Sequence, residues 1–198
     1  MRTPLILAGS LTAALIALGA AELALGDNDH DDDHHERGAD GRSGWVEPGE
    51  DVKPVANALY AEECGACHMA YQPGLLPSDA WQQIMRPPAL ADHYGDDASL
   101  SADRAENIAA YLAANAAEHA GKPRARAFAV GDAGADALPR ITATRYFRNE
   151  HHEIPSRMVA GNPDVGSFSN CNACHQGAEA GVYNEHRVRI PGVGRWDD

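Results

Sequence analysis

Apolar positions recur at helical spacing in only a few stretches of the chain. The clearest is 101–116, where Ala105, Ile108, Ala109, Leu112 and Ala116 fall on one stripe behind Ser101, a residue suited to an N-cap. Gly121 and Pro123 then supply a stop signal. Upstream, Pro54 suits the first turn of a helix whose face is marked by Val55, Leu59 and Tyr60. A second short helix is expected over 78–85, with Ser78 as cap, Trp81, Ile84 and Met85 as its apolar side, and Pro87-Pro88 as its end. Residues 121–140, rich in Gly, Ala, Pro and Arg, read as a linker between two halves. From Arg140 onward Pro155, Gly161, Pro163, Gly166, Gly177, Gly181, Pro191, Gly192 and Gly194 interrupt every periodic run. The pattern predicts short helices and loops wrapped around something rigid, with no convincing strand. The expected class is all-α with much loop.

The N-terminus changes this picture. Arg2, an uncharged apolar run from Leu5 to Leu18 and the small residues Gly19, Ala20 and Ala21 describe a secretory signal peptide over 1–21, cleaved before Glu22. A retained membrane anchor is the alternative, but the run is short of the ~20 residues a bilayer requires. Residues 22–53 have no apolar face to bury and read as a disordered acidic His/Asp-rich linker. Weak divalent-metal binding by that stretch is the competing reading. The chain carries a net charge of -13, and residues 27–53, with ten acids and three bases, hold -7 of it. Nucleic acid is excluded as a partner, because phosphate binding needs basic surface. Only 6% of residues are aromatic. Such a chain has few large side chains for a core, and a bulky apolar cofactor in each half would supply one.

The cysteines say which cofactor. The four fall in two copies of one pattern, Cys64-Gly65-Ala66-Cys67-His68 and Cys171-Asn172-Ala173-Cys174-His175. C-x-x-C-H is the signature of covalent haem c attachment. Thiols one helical turn apart reach the two vinyl groups of one haem, and the following imidazole reaches the iron. Cys64, Cys67, Cys171 and Cys174 are therefore the thioether candidates for two covalently bound haem c groups, and His68 and His175 the proximal ligands. Zinc ribbons keep their C-x-x-C pairs close together, whereas 103 residues separate Cys67 from Cys171. A thioredoxin-like pair would open a helix inside a βαβ pattern, which is not found. Export would permit disulfides, but all four thiols lie in complete haem motifs and none is left over. The chain accordingly divides into an N-terminal haem c domain over 54–120 and a C-terminal one over 121–198.

The segments around the motifs narrow the family. Glu63-Cys64-Gly65-Ala66-Cys67-His68, Tyr71 to Leu76-Pro77, Trp81 and Asp92-His93-Tyr94-Gly95-Asp96-Asp97-Ala98-Ser99-Leu100 form one set of landmarks. Arg140-Ile141-Thr142, Arg145-Tyr146-Phe147, Glu150-His151, Asn170-Cys171-Asn172-Ala173-Cys174-His175 and Arg189-Ile190-Pro191 form the other. Over 54–192 the chain resembles the dihaem cytochromes c of photosynthetic and other proteobacteria. The resemblance implies two six-coordinate haems, each with two histidines, and electron transfer rather than catalysis. It further implies redox partners such as a monohaem high-spin cytochrome c or a membrane b-type cytochrome.

The sixth ligands must then come from His93, His119, His151, His152, His186, Met69, Met85 or Met158. His93 is chosen for the first haem: it matches a family landmark and lies in a Gly-bounded loop between two helices. Met85 is its rival, though core packing accounts for it. His151, which follows Glu150 as in the family, is chosen for the second, with His152 left as rival. Arg145, Arg148 and Arg157 are candidates to pair with haem propionates, and Trp81, Tyr94, Tyr146 and Phe147 to pack on haem faces. The expected protein is a periplasmic electron carrier. The competing reading is a dihaem peroxidase-like oxidoreductase with one open haem iron, and a haem-based gas sensor is weaker for want of any signalling domain.

Overall fold

The computed structural model describes residues 51–129 and 138–196. The leader expected at 1–21 and the acidic stretch through residue 50 lie outside the described residues. The described part is helical and short-elemented, as its broken periodicity requires. Helices α1 (Ala58–Cys64), α2 (Ser78–Ile84), α3 (Pro87–Ala91) and α4 (Ala102–Ala114) build the first half. Helices α5 (Pro123–Phe128), α6 (Arg145–His151) and α7 (Cys171–Cys174) follow, joined by single 3-10 turns. No helix among the described residues is long and apolar enough to cross a membrane.

Local chemistry sets several boundaries. Asn57 caps α1, its side-chain oxygen accepting from the Tyr60 N–H at 2.9 Å. Thr144 caps α6 in the same way through Phe147. Ser101 sits at the N-cap of α4 without a side-chain cap bond. Ser78 is not the cap of α2 but its first residue: its N–H and hydroxyl both donate to the Glu118 carboxylate, tying α2 to the turn that follows α4. Pro87-Pro88 ends α2 as expected and also opens α3, because proline at the first turn forfeits no helical hydrogen bond.

Helix α4 presents the expected stripe, and Ile108, Leu112 and Ala116 are fully buried against Trp81, Ile84 and Leu90. Burying each large side chain contributes about 1.5–3 kcal/mol. The stretch read as a linker is not one throughout. Residues 123–128 form α5, and Ala125 and Phe128 are buried. A second difference is a small antiparallel hairpin, β1 (Arg189–Ile190) with β2 (Gly194–Arg195), too short to leave an alternating pattern in the sequence.

One core cluster mixes residues from both ends of the described chain: Val52, Leu75, Ala117, Ala125, Phe128, Phe147, Ala178 and Tyr183. Val52, inside the stretch read as acidic linker, is fully buried there. Polar groups bind the same junction. Gln72 is fully buried, donates to the Ala178 carbonyl at 2.6 Å and accepts from the Tyr183 hydroxyl at 2.6 Å. The N–H groups of Asp51 and Val52 both donate to the Gly181 carbonyl, at 2.9 and 3.0 Å. Gly181 has φ +74°, and a Cβ there would stand 2.0 Å from the Val52 carbonyl oxygen, so this close approach requires glycine.

Candidate functional site

Cys64 closes α1, Cys67 follows one turn later and His68 comes next. Cys171 opens α7, Cys174 ends it, and His175 is the residue after. None of the four thiols is in a disulfide. Burial pushes the Cys64 and Cys171 thiols up to about 11 before any group is attached to them.

Each motif histidine faces a second histidine. The His68 and His93 rings have centroids 6.3 Å apart and lie within 19° of parallel. The His175 and His151 rings are 6.0 Å apart and inclined at 70°. Two imidazoles on opposite sides of one metal keep their centres on the order of 6 Å apart, because each metal–nitrogen bond is about 2 Å and each ring adds its own radius. Both pairs meet that spacing.

The protonation of the rings fits as well. Ligand imidazoles must be neutral. Burial, then the neighbouring His68, lowers the pKa of His93 against the opposing pull of Asp96. Burial, then His151 and Arg124, pushes His175 down to about 4. A carbonyl can only accept, so the His68 Nδ1–H donates to the Met69 oxygen at 2.7 Å and leaves Nε2 with its lone pair free. The His151 Nδ1–H likewise donates to the Phe147 carbonyl at 2.9 Å. Among the described residues, His93 Nδ1 and His175 Nδ1 are buried without a hydrogen-bond partner.

The other candidates lie elsewhere. His152 is exposed, its Nδ1 near the Asn149 carbonyl at 2.7 Å and its Nε2 3.8 Å from Glu153. His119 and His186 are exposed as well. Met85 is buried with Trp81 in the first core cluster, while Met69 and Met158 pack against the other two clusters.

A cavity of about 500 Å³ holds the first pair and is lined by Cys64, Cys67, Trp81 and Arg140 as well. A tighter one of about 110 Å³ holds the second, with Cys171, Cys174, Phe147 and Arg124. Ile141, Asn170 and Cys171 line both, so one layer of residues forms the wall between them.

The arginines in these cavities are not those singled out from the sequence. Arg145, Arg148 and Arg157 are exposed and line neither. Arg140 lies over the Tyr94 ring at 4.1 Å, and Arg124 donates to the Tyr146 hydroxyl at 2.8 Å beside Asp51. Tyr94 also meets His93 edge-on at 4.7 Å, and Phe147 stacks on His151 at 3.9 Å. Trp81 instead belongs mainly to the core, where its indole N–H donates to the Pro73 carbonyl.

Sequence reasoning assigned no site role to Tyr71, which stacks on His68 at 4.8 Å, or to Tyr183 and Phe168, which meet His175 and His151 at 5.3 and 5.8 Å. Only Tyr71, three residues beyond His68, carried a local signal.

The family model for dihaem cytochrome c matches residues 60–183. Among solved structures, the chain is similar to a dihaem cytochrome type c from Shewanella baltica OS155, at 44% identity and TM-score 0.57, covering 71% of this chain and 98% of that one. It is also similar to a dihaem cytochrome c from Rhodobacter sphaeroides, at 38% identity and TM-score 0.55, covering 67% of this chain and 100% of that one. A second Rhodobacter sphaeroides structure matches at 37% identity and TM-score 0.51, covering 66% and 99% of the two chains. No curated protein matches the chain.

Proposed function

Because the chain belongs to the dihaem cytochrome c family, we propose that it is a periplasmic electron carrier in which His68 and His93 ligate one haem iron and His175 and His151 the other. Two covalently bound haem c groups, haem binding and electron transfer come with the family itself. The leader-like residues 1–21 support export.

The observation that carries the reading is the pair of facing imidazoles beside each C-x-x-C-H motif, at 6.3 and 6.0 Å, across a wall one residue thick. When bound, each haem iron supplies one-electron chemistry by changing between ferric and ferrous. The chain does the rest. The cysteines tether the group, the carbonyls of Met69 and Phe147 orient one ring of each pair, and Ile141, Asn170 and Cys171 keep the two sites adjacent. The walls around the second pair are mostly apolar, which limits reorganisation when charge arrives. With haem bound, two histidines on each iron would fill its coordination and would hold both potentials low relative to His/Met ligation. Redox partners are proteins such as a monohaem high-spin cytochrome c or a membrane b-type cytochrome.

Low-temperature EPR of the oxidised holoprotein tests this. The expected result is two low-spin ferric signals and no high-spin one. The near-perpendicular pair should give the more anisotropic g values, because crossed imidazole planes bring the iron orbitals closer in energy. A substantial high-spin signal would mean an open iron and would turn the reading toward a peroxidase-like oxidoreductase.

A further inference from the structure

Of the two histidines that face the motif histidines, His151 sits on α6 and donates to the Phe147 carbonyl. His93 has neither support. It lies in the loop between α3 and α4, and among the described residues its Nδ1 is buried without a partner. Its backbone, by contrast, is closely set. The His93 N–H donates to the Asp96 carbonyl at 2.7 Å and the Asp96 N–H to the His93 carbonyl at 3.3 Å, closing a two-residue turn over Tyr94 and Gly95. Both turn residues have positive φ, +58° and +109°.

A two-residue turn with positive φ at both positions is best served by Asn-Gly or Asp-Gly, because a short polar side chain, or none, tolerates the left-handed region. Here the first position is a tyrosine, the one non-glycine residue with positive φ among the described residues. A bulky side chain is costly there. The turn does not call for this residue, so the reason for it lies in its ring. The Tyr94 and His93 rings meet edge-on, with centroids 4.7 Å apart and planes at 67°. The Arg140 guanidinium lies over the Tyr94 ring at 4.1 Å, within the range of a cation–π contact. The Tyr94 hydroxyl donates to the carbonyl of Pro139, a buried residue 45 positions further along the chain. Ile141, next in that segment, lines both cavities. The tyrosine is thus gripped by the segment that walls one site from the other, and it leans on His93.

We propose that Tyr94 is the positioning residue for the sixth ligand of the first haem: its ring, held by Pro139 and Arg140, keeps His93 opposite His68 and slows its release from the iron. The proposal rests on the reading of His68 and His93 as one ligand pair. Outer contacts orient a ligand imidazole. At His68 and His151 a backbone carbonyl does this, and at His93 the tyrosine ring takes that part. Edge-to-face contact between rings is directional, so it fixes the plane of the imidazole as well as its place. The backbone cost of Tyr94 is offset by a ligand that stays in place in both oxidation states. The clamp also acts across the fold: a ligand from the first half is held by residues of the second.

Stopped-flow binding of cyanide to the oxidised holoprotein tests it, because the incoming ligand must wait for His93 to leave. Tyr94→Asn suits the turn but removes the ring. It should speed cyanide binding at the first haem on the order of tenfold, the worth of one aromatic and one cation–π contact together. Tyr94→Phe, which loses only the bond to Pro139, and Arg140→Gln, which loses only the cation, should give smaller increases. The second haem should bind cyanide at its wild-type rate in all three. EPR tells the haems apart: the less anisotropic signal of the near-parallel pair should be the one that cyanide removes first, and in Tyr94→Asn that signal alone should shift or broaden before cyanide is added. Arg140 is exposed and lies outside the turn, so Arg140→Gln carries the test if the asparagine form folds poorly. An unchanged first-haem rate in Tyr94→Asn and Arg140→Gln would overturn the proposal. So would an equal rise at both haems, because the substitution would then loosen the whole fold rather than one ligand. Failure of the ligand pairing shows separately, as a high-spin signal in the wild type before any cyanide is added, and would take the clamp with it.

Discussion

The two histidine pairs begin from the same five-residue pattern and end in different surroundings. In the first pair it is the motif histidine, His68, whose Nδ1–H is bonded to a carbonyl, while the facing His93 has a buried, unpartnered Nδ1. In the second pair the order is inverted: His151 is bonded and the motif histidine, His175, is not. The first pair is near-parallel in a roomy cavity on the acidic half, and the second is crossed in a tight apolar one walled by Phe147 and Phe168. His93 stands in a loop beside Tyr94, whose φ of +58° is costly for an aromatic residue, whereas His151 stands on a capped helix. Identical motifs therefore do not make identical redox sites. An outer hydrogen bond raises ligand basicity; in the first pair the motif histidine has that bond, and in the second the facing histidine has it.

Replacing the facing histidines should break this arrangement most visibly. In potentiometric titration, His93→Met is expected to raise one haem potential by on the order of 0.1–0.2 V, a fraction of the roughly 0.8 V that axial ligands span. His151→Met should raise the other and leave the first in place. If both variants moved the same haem, or neither moved any, the ligand pairing would be wrong.

The junction that holds the sites together gives the next effect. Gly181→Ala must place a Cβ against the Val52 carbonyl at positive φ and should cost about 2–4 kcal/mol. Thermal denaturation followed by circular dichroism should show a drop of several degrees, with the low-spin spectrum of the folded fraction unchanged.

The smallest effect belongs to the first half alone. Burial raises the pKa of Glu118, but the hydrogen bonds from Ser78 outweigh it and hold the carboxyl below its usual value. A carboxyl lowered in the folded state stabilises above its unfolded pKa, near about 4.3, and that stabilisation is lost as pH falls through the folded value. The group is largely exposed, so screening keeps the effect small. Glu118→Gln should cost at most about 1 kcal/mol at neutral pH, and in denaturant titrations the difference from wild type should shrink as pH falls below the unfolded value and vanish once pH is below the lowered folded one.

What could be read from the chain was what is local in it. A thiol pair and an imidazole within five residues carry their chemistry in their spacing, so Cys64, Cys67, His68, Cys171, Cys174 and His175 needed no fold to be singled out. The stripe of α4 was legible for the same reason, because 3.6-residue periodicity is a property of one helix. The family landmarks added His93 and His151, each more than twenty residues along the chain from the histidine it faces.

The rest was decided by packing between distant segments. Nothing near Gln72 announces that it will be buried against Tyr183, 111 residues away. Nothing in 121–140 shows that Arg124 and Arg140 would enter the cavities while Arg145, Arg148 and Arg157 stay at the surface. Val52 sits among acids and reads as linker until the glycine it approaches is known. The orientation of the rings, their Nδ1 partners and the outward pairing of Arg189 with Arg195 depend on where other chain segments pass. A motif sets which atoms are available for bonding; the non-local packing of backbone and side chains sets the directions in which they point.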